Sequence, residues 1–99
     1  AKGQLSYSAT KGAVISTTLS ASKELAEYNI RVNAVAPGMV ATERFKNEIE
    51  GRFEERLQSV GMGRFADPEE IADVYSFFAS DRSKYVTGQV LGVEGSFAI

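Results

Sequence analysis

The sequence lacks cysteine and histidine, and these two absences narrow the chemistry open to the protein. Without cysteine there is neither a disulfide framework nor a thiol nucleophile, which fits a reducing compartment such as the cytoplasm. Without histidine, the usual general base and the commonest metal ligand are missing. Proton transfer would therefore use tyrosine, lysine, aspartate or glutamate, and we expect no metal site.

Long apolar runs and a strong charge of one sign are also missing. No segment approaches the roughly 20 apolar residues of a membrane-spanning helix, and no signal or transit segment is visible at the start, so we expect no membrane insertion. The formal net charge is -2, with both signs interspersed, which gives no reason to expect nucleic acid binding. The 99 residues, 43% hydrophobic and 24% charged, indicate one soluble globular domain at most.

Hydrophobic periodicity predicts the order helix, strand, helix, helix, strand. The predicted ranges are a helix at 5–28, a strand at 30–35 that ends before Pro37-Gly38, an amphipathic helix or helix pair at 42–60 broken at Gly51, a helix that starts at "DPEE" (67–70), and a strand at 89–93. Helical crossovers between short strands indicate an α/β fold with a parallel, doubly wound sheet. Two strands make a marginal sheet, so a further segment or a second copy of the chain is expected to complete it.

The stretch "SYSATKGAV" (6–14) places Tyr7 and Lys11 four residues apart, on one face of the predicted helix. A nearby ammonium favours the phenolate form of tyrosine, so the pair is a candidate acid/base device. On spacing alone, an ordinary helix with a half-buried tyrosine and a solvated lysine is the favoured interpretation. In the same way Pro37-Gly38 alone indicates a turn, the aromatic residues of 45–60 indicate a core face, and Asp67 with Glu70 indicates helix capping.

Three blocks in order carry a more specific signal: "YSATKGAV", "IRVNAVAPGMVATE" and "GRFADPEEIADVYSFFASDRSKYVTGQVLGVEG". Together they resemble the C-terminal part of short-chain dehydrogenases/reductases, nearest to the 3-oxoacyl-acyl-carrier-protein reductase group. The resemblance covers almost the whole sequence. It implies that residues 1–99 are the C-terminal segment of a single Rossmann-type domain, and that the protein is an NAD- or NADP-dependent oxidoreductase acting on a ketone or secondary alcohol.

The resemblance also implies roles for individual residues. Tyr7 matches the catalytic tyrosine that protonates the ketone oxygen, and Lys11 matches the lysine that lowers the pKa of that tyrosine and bonds the nicotinamide ribose. Members of the family also have a turn that lies beside the nicotinamide. The residues of this sequence that match it are Pro37, Gly38, Met39, Val40 and Thr42. In that turn the Val40 backbone is expected to bond the carboxamide, and the Thr42 hydroxyl to lie near the carboxamide or pyrophosphate. Residues 43–60 correspond to the variable lid over the substrate.

Several parts of the family pattern do not occur in this sequence. It has no GxxxGxG phosphate loop, no residue that selects NAD or NADP, no NAG motif and no catalytic serine before the tyrosine. We therefore expect the 99-residue chain alone to be catalytically silent. Acyl carrier protein is a candidate partner, but the long helix ends in "KELAEYN", with Glu27 and Tyr28 where a basic residue is common, so a general ketone or alcohol is the preferred substrate class.

Two other interpretations remain open at this point. The first is a non-catalytic assembly module or truncation product that self-associates through exposed helices and strand edges. The second is an ordinary helical binding domain with a fortuitous YxxxK spacing, which would require three family blocks to arise by chance. The family commonly uses the long helix and the final helix and strand as subunit interfaces, so the resemblance implies a homo-oligomer, a dimer or tetramer, located in the cytoplasm.

Overall fold

The computed structural model describes residues 4–96. Four α-helices and two strands follow the predicted order: α1 (Gln4–Leu25), β1 (Ala34–Pro37), α2 (Glu43–Glu48), α3 (Phe53–Gln58), α4 (Pro68–Ala79) and β2 (Val90–Val93). Short 3-10 turns at Ala26–Tyr28 and Asp81–Ser83 extend α1 and follow α4. The 3-10 turn after α1 is closed by Asn29, which adopts a left-handed φ of 60° and donates its N–H to the Ala26 carbonyl at 2.9 Å.

Small residues in the second half of α1 allow close packing near its C-terminal end. Thr18 and Ser22 are buried, and their hydroxyls donate to the carbonyls of Val14 and Leu19, both at 2.7 Å. The turn at Gly88 approaches so closely that a Cβ built there would lie 2.7 Å from the Ser22 Oγ. Gly88 also has a φ of +74°, so the turn before β2 requires glycine at this position.

The two strands pair in parallel, as the helical crossovers between them predict. The register runs from Ala34 opposite Val90 to Pro37 opposite Val93. The predicted boundaries of β1 are wrong, because the strand occupies 34–37 and not 30–35. β2 begins one residue later than predicted, at Val90.

Residues 31–33 are not in the strand because they bond to the loop that joins α4 to β2. The Arg31 Nη1 donates to the carbonyls of Phe78 and Ser83 at 2.8 and 3.1 Å, which places a cation at the C-terminal end of α4. The Val32 N–H donates to the Thr87 Oγ1 at 3.0 Å. These bonds fix where the two strands can begin to pair.

The core lies under α2 and α3. Ile49, Val60 and Phe65 are buried together, and partly buried hydrophobic residues pack against them: Met39, Ala41, Phe45 and Leu57. The rings of Phe45 and Phe53 meet the Phe65 ring edge to face, with centroids 5.2 and 5.3 Å away. The predicted amphipathic pair is thus confirmed, and Gly51, with a φ of +79°, separates the two helices.

The start of α4 follows the "DPEE" signal. Asp67 occupies the N-cap, Pro68 the first helical position, and the Glu70 Oε1 accepts the Asp67 N–H at 2.9 Å. The helix ends at Ala79, and Ile71 is its buried residue. Among the helices of residues 4–96, none has the length and apolar character needed to cross a membrane.

Candidate active site

Tyr7 and Lys11 lie on one face of the exposed N-terminal half of α1, as their spacing predicts. The Lys11 Nζ is 5.8 Å from the centroid of the Tyr7 ring, within cation–π range. Tyr7 is 60% exposed, whereas Lys11 is half-buried. The phenol is therefore accessible to a ligand while a cation is held beside it.

The turn after β1 needs glycine at position 38. The Gly38 N–H donates to the Val93 carbonyl at 3.0 Å, which continues the pairing of the strands by one residue. A Cβ at this position would lie 2.9 Å from the Cα and the Cβ of Glu94, closer than real side chains approach. Pro37 is the last, exposed residue of β1, where the absence of an N–H costs no hydrogen bond of the central ladder.

A single parallel bridge, between Val40 and Ala66, holds the next part of the turn. Ala66 bonds to both neighbours of Val40: the Ala41 N–H donates to the Ala66 carbonyl at 2.7 Å, and the Ala66 N–H donates to the Met39 carbonyl at 2.9 Å. The Val40 carbonyl accepts the Thr42 N–H at 2.8 Å. The Val40 N–H has no acceptor within residues 4–96, so it is available to a ligand.

Thr42 caps α2. Its Oγ1 accepts the Phe45 N–H at 3.1 Å, and the side chain is otherwise exposed. The hydroxyl hydrogen is not used in this bond, since a hydroxyl both donates and accepts. Thr42 therefore has a structural role as a cap, and its hydroxyl can still donate to a ligand.

Two cavities meet at Tyr7. One, of about 240 Å³, lies between α1 and the sheet and is lined by Tyr7, Thr10, Lys11 and apolar residues of α1 and both strands. The other, of about 440 Å³, is an open cleft beside α2, α3 and the turn, and is lined by Tyr7, Met39, Phe45, Glu48, Ile49, Arg52 and Arg56. The structure thus brings Tyr7 together with Lys11 on one side and with Met39 on the other. Pro37, Gly38, Val40 and Thr42 line neither cavity.

The two arginines of the second cavity were missed by the sequence reasoning. Arg52 and Arg56 are one helical turn apart, and the Arg56 N–H donates to the Arg52 carbonyl at 3.0 Å. Their i, i+4 spacing in "RFEER" would have placed both on one face of a helix. The spacing does not reveal that both arginines would line the same cavity as Tyr7, because that depends on how α3 packs.

An ion pair stands near the turn, where a small cavity lies between Met39, Arg64 and Glu70. The Arg64 guanidinium donates two bonds to the Glu70 carboxylate, at 2.6 and 2.8 Å. The bond from Arg64, followed by the bond from the Asp67 N–H, lowers the pKa of Glu70 from its ordinary value of 4.5 to about 2. The part of the chain that the structure describes contains no group of three or more candidate metal ligands.

Known proteins resemble this chain in sequence and in fold. A family model described as enoyl-(acyl carrier protein) reductase matches residues 1–97. The 3-oxoacyl-[acyl-carrier-protein] reductase FabG of Thermotoga maritima is 50% identical over 97 residues, which are 98% of this chain and 39% of that protein. The chain belongs to the short-chain dehydrogenase/reductase family. It spans 39% of the length of this curated relative.

Solved structures of this family show the same fold. The crystal structure of a 3-oxoacyl-[acyl-carrier protein] reductase from Brucella melitensis superimposes with a TM-score of 0.87 at 39% identity, over 94% of this chain and 35% of that one. A Brucella melitensis 3-oxoacyl-[acyl-carrier protein] reductase with bound NAD gives a TM-score of 0.80 at 40% identity, over 94% of this chain and 33% of that one. The predicted α/β fold, part of a Rossmann-type short-chain dehydrogenase/reductase, is confirmed.

Proposed function

We propose that the protein, as a complete reductase, interconverts a ketone and a secondary alcohol by hydride transfer with NADH or NADPH. The main support is the position of Tyr7, which has Lys11 beside it and lines the same cavity as Met39 of the turn. The family membership supports the same reaction, and one of its solved members was crystallised with NAD. A cysteine-free sequence fits a cytoplasmic location.

When bound, the nicotinamide supplies the hydride that reduces the carbonyl carbon. The Tyr7 hydroxyl donates its proton to the carbonyl oxygen, which becomes the alcohol oxygen, and the reverse reaction returns that proton to Tyr7. Lys11 stabilises the phenolate left on Tyr7, since an ammonium nearby favours the charged form of the phenol. In this assignment Lys11 also bonds the nicotinamide ribose.

The proposed cofactor-binding residues besides Tyr7 and Lys11 are those of the turn: Pro37, Gly38, Met39, Val40 and Thr42. The Val40 N–H, which has no acceptor among residues 4–96, fits a carboxamide acceptor, and the Thr42 hydroxyl retains a hydrogen to donate. The Gly38 contact with Glu94 fixes the path of the backbone that would lie along the nicotinamide. Residues 43–60 would form the lid over the substrate. A 3-oxoacyl group is the first substrate to test, because it is named in the relatives, either free or on an acyl carrier protein.

Replacement of Tyr7 tests the proposal. In the full-length protein, Tyr7→Phe should lower kcat with a ketone and NADPH by at least about a hundredfold, because general acid catalysis contributes about 10² to 10⁴. Melting should stay unchanged, because Tyr7 is largely exposed. Tyr85→Phe is the matched control, since Tyr85 is 100% exposed and lines none of the cavities around Tyr7. Normal turnover by Tyr7→Phe would falsify the assignment.

A second candidate function, for the 99-residue chain on its own, is self-association without catalysis. The observation that favours it is the number of large hydrophobic residues left at the surface of α1, α4 and β2, among them Val14, Ile15, Leu19, Tyr75, Phe77 and Leu91. Apolar surface of this extent marks association sites in proteins.

A further inference from the structure

Residues 94–96 follow β2 and touch the proposed nicotinamide-side turn. A Cβ on Gly38 would lie 2.9 Å from both the Cα and the Cβ of Glu94. The Gly38 N–H also donates to the carbonyl of Val93, the residue just before this segment, at 3.0 Å. Residues 94–96 therefore start directly against the backbone of the turn.

The same segment holds the end of the proposed lid, residues 43–60. The Gly61 N–H, just after the lid, donates to the Ser96 carbonyl at 2.8 Å. The next N–H along the chain, that of Met62, donates to the Gly95 carbonyl at 2.9 Å. Each of these bonds joins two main chains, so it holds the lid end whatever side chains the lid carries.

The two segments approach so closely that there is no room for a side chain at Gly61. A Cβ there would lie 2.8 Å from the Ser96 Cβ and 2.9 Å from the Ser96 carbonyl oxygen. A Cβ on Gly95 would lie 3.2 Å from the Cγ1 of Val60, the buried last residue of the lid. Ser96 itself has a φ of 62°, a conformation that is uncommon outside glycine and persists only where the surrounding structure fixes it.

Both ends of the lid are therefore attached at the turn. The first end follows the turn directly along the chain, where Thr42 caps α2. The second end, beyond α3, is connected to the turn through 94–96. The lid residues Phe45 and Ile49 line the same cleft as Tyr7, so the position of the lid determines the shape of the cleft that a ketone would enter.

We infer that residues 94–96 couple cofactor binding at the turn to substrate binding under the lid, with Gly61 and Ser96 as positioning residues. This inference rests on the proposed reductase function and adds the route by which one ligand affects the other. A nicotinamide against the turn would fix 94–96, and 94–96 would fix the second end of the lid. Packed segments can transmit such coupling, and each ligand should then bind more tightly when the other is present.

Cofactor binding measured with and without a ketone tests this coupling in the full-length protein. An oxidised cofactor and a ketone do not react with each other, so calorimetric titration gives equilibrium dissociation constants. The probes are acetoacetyl-pantetheine and whichever of NADP⁺ and NAD⁺ binds more tightly. In the wild type, saturating acetoacetyl-pantetheine should lower the Kd of the cofactor by at least about fivefold.

Gly61→Ala should weaken the coupling, because its Cβ forces the lid end away from Ser96. The ratio of the two dissociation constants should fall by at least about twofold. Gly63→Ala is the matched control in the same loop. Gly63 has a φ of +75°, and no atom of residues 4–96 lies within 4 Å of a Cβ there, so this variant strains the backbone without separating the two segments. It should keep the wild-type ratio.

Ser96→Gly tests the other side of the contact and should fold even if Gly61→Ala does not, because glycine readily adopts a φ of 62°. The change removes the side chain nearest to the Cβ position of Gly61 and makes 94–96 more flexible. The coupling should therefore fall in this variant as well. Thermal melting of each variant separates a loss of coupling from a loss of fold.

The outcomes separate the inference from the function beneath it. Wild-type coupling in the folded variants at Gly61 and Ser96 overturns the inference and leaves the reductase standing. The same holds for a wild type that reduces the ketone but whose cofactor affinity the ketone does not change. An equal loss in Gly63→Ala also overturns it, because strain in the loop would then explain the effect. A wild type that binds neither cofactor and reduces no ketone contradicts the reductase and the inference together.

Discussion

Gly38 shows how one missing side chain can determine the position of a turn. An added Cβ would meet the backbone of Glu94 at 2.9 Å, and backbone cannot move aside as a flexible side chain can. The turn that would carry the nicotinamide therefore depends on contact between two main chains.

Gly38→Ala should destabilise the full-length protein by about 1 to 3 kcal/mol, the usual cost of overpacking. It should also raise the KM for NADPH, because the turn must shift away from Glu94. Thermal melting and cofactor titration measure the two effects. Gly12→Ala is the control, since no atom of residues 4–96 lies within 4 Å of a Cβ there and alanine favours the helix. An unchanged melting temperature and KM for Gly38→Ala would show that the contact is relieved at no cost.

At the scale of elements, the start of α4 depends on the Arg64–Glu70 pair and on the bond from the Asp67 N–H to Glu70. These bonds hold the pKa of Glu70 below its ordinary value, at about 2. A carboxylate with a lowered pKa in the folded state adds stability that is present above its unfolded pKa and is lost as the pH falls through the folded one. The relevant window is pH 4.5 down to about 2.

Glu70→Gln should therefore flatten the loss of stability across this window. Denaturant unfolding of the full-length protein at several pH values would measure it. Glu69→Gln, an exposed neighbour in the same helical turn, is the control and should keep the wild-type slope. Because the pair is exposed, added salt should weaken the effect in the wild type. A Glu70→Gln slope equal to that of the wild type would contradict the role assigned to the ion pair.

The boundaries of the helices and strands show which features the sequence could predict. The α4 start was predicted because Asp67, Pro68 and Glu70 act within one helical turn, and the break at Gly51 is equally local. The start of β1 was not predicted, because Arg31 bonds to carbonyls 47 and 52 residues away and no nearby pattern records such contacts.

In the candidate site, too, the sequence predicted what depends on local spacing and missed what depends on packing. The spacing of Tyr7 and Lys11 on one helix placed them on the same face, as the structure confirms. Arg52 and Arg56 line the same cavity as Tyr7 because α3 packs against residues around Phe65, and periodicity alone does not specify that packing.

At the scale of the whole molecule, the chain is extended and its core is small. Its radius of gyration is 15.7 Å, against about 13 Å for a compact domain of about 100 residues. The described residues with buried hydrophobic side chains are few: Ile49, Val60, Phe65 and Ile71. Stability of the 99-residue chain should therefore depend on covering its exposed apolar surface.

Sedimentation of the 99-residue chain at several concentrations should show concentration-dependent association. Ile15→Lys should weaken it by placing a charge on the apolar face between α1 and β1, whereas Thr17→Lys, exposed on the same helix, should not. A stable monomer with a cooperative melt would count against self-association.

The burial of Ser22 against Gly88 has a mechanical consequence for Tyr7. α1 is anchored near its C-terminal end, and the phenol sits about 22 Å further along the axis at a rise of about 1.5 Å per residue. A tilt of about 3° at the anchored end would move the phenol by about 1 Å, a displacement that can cost about a hundredfold in rate. Whatever packs along the exposed length of α1 therefore sets the position of the Tyr7 phenol, the proposed proton donor.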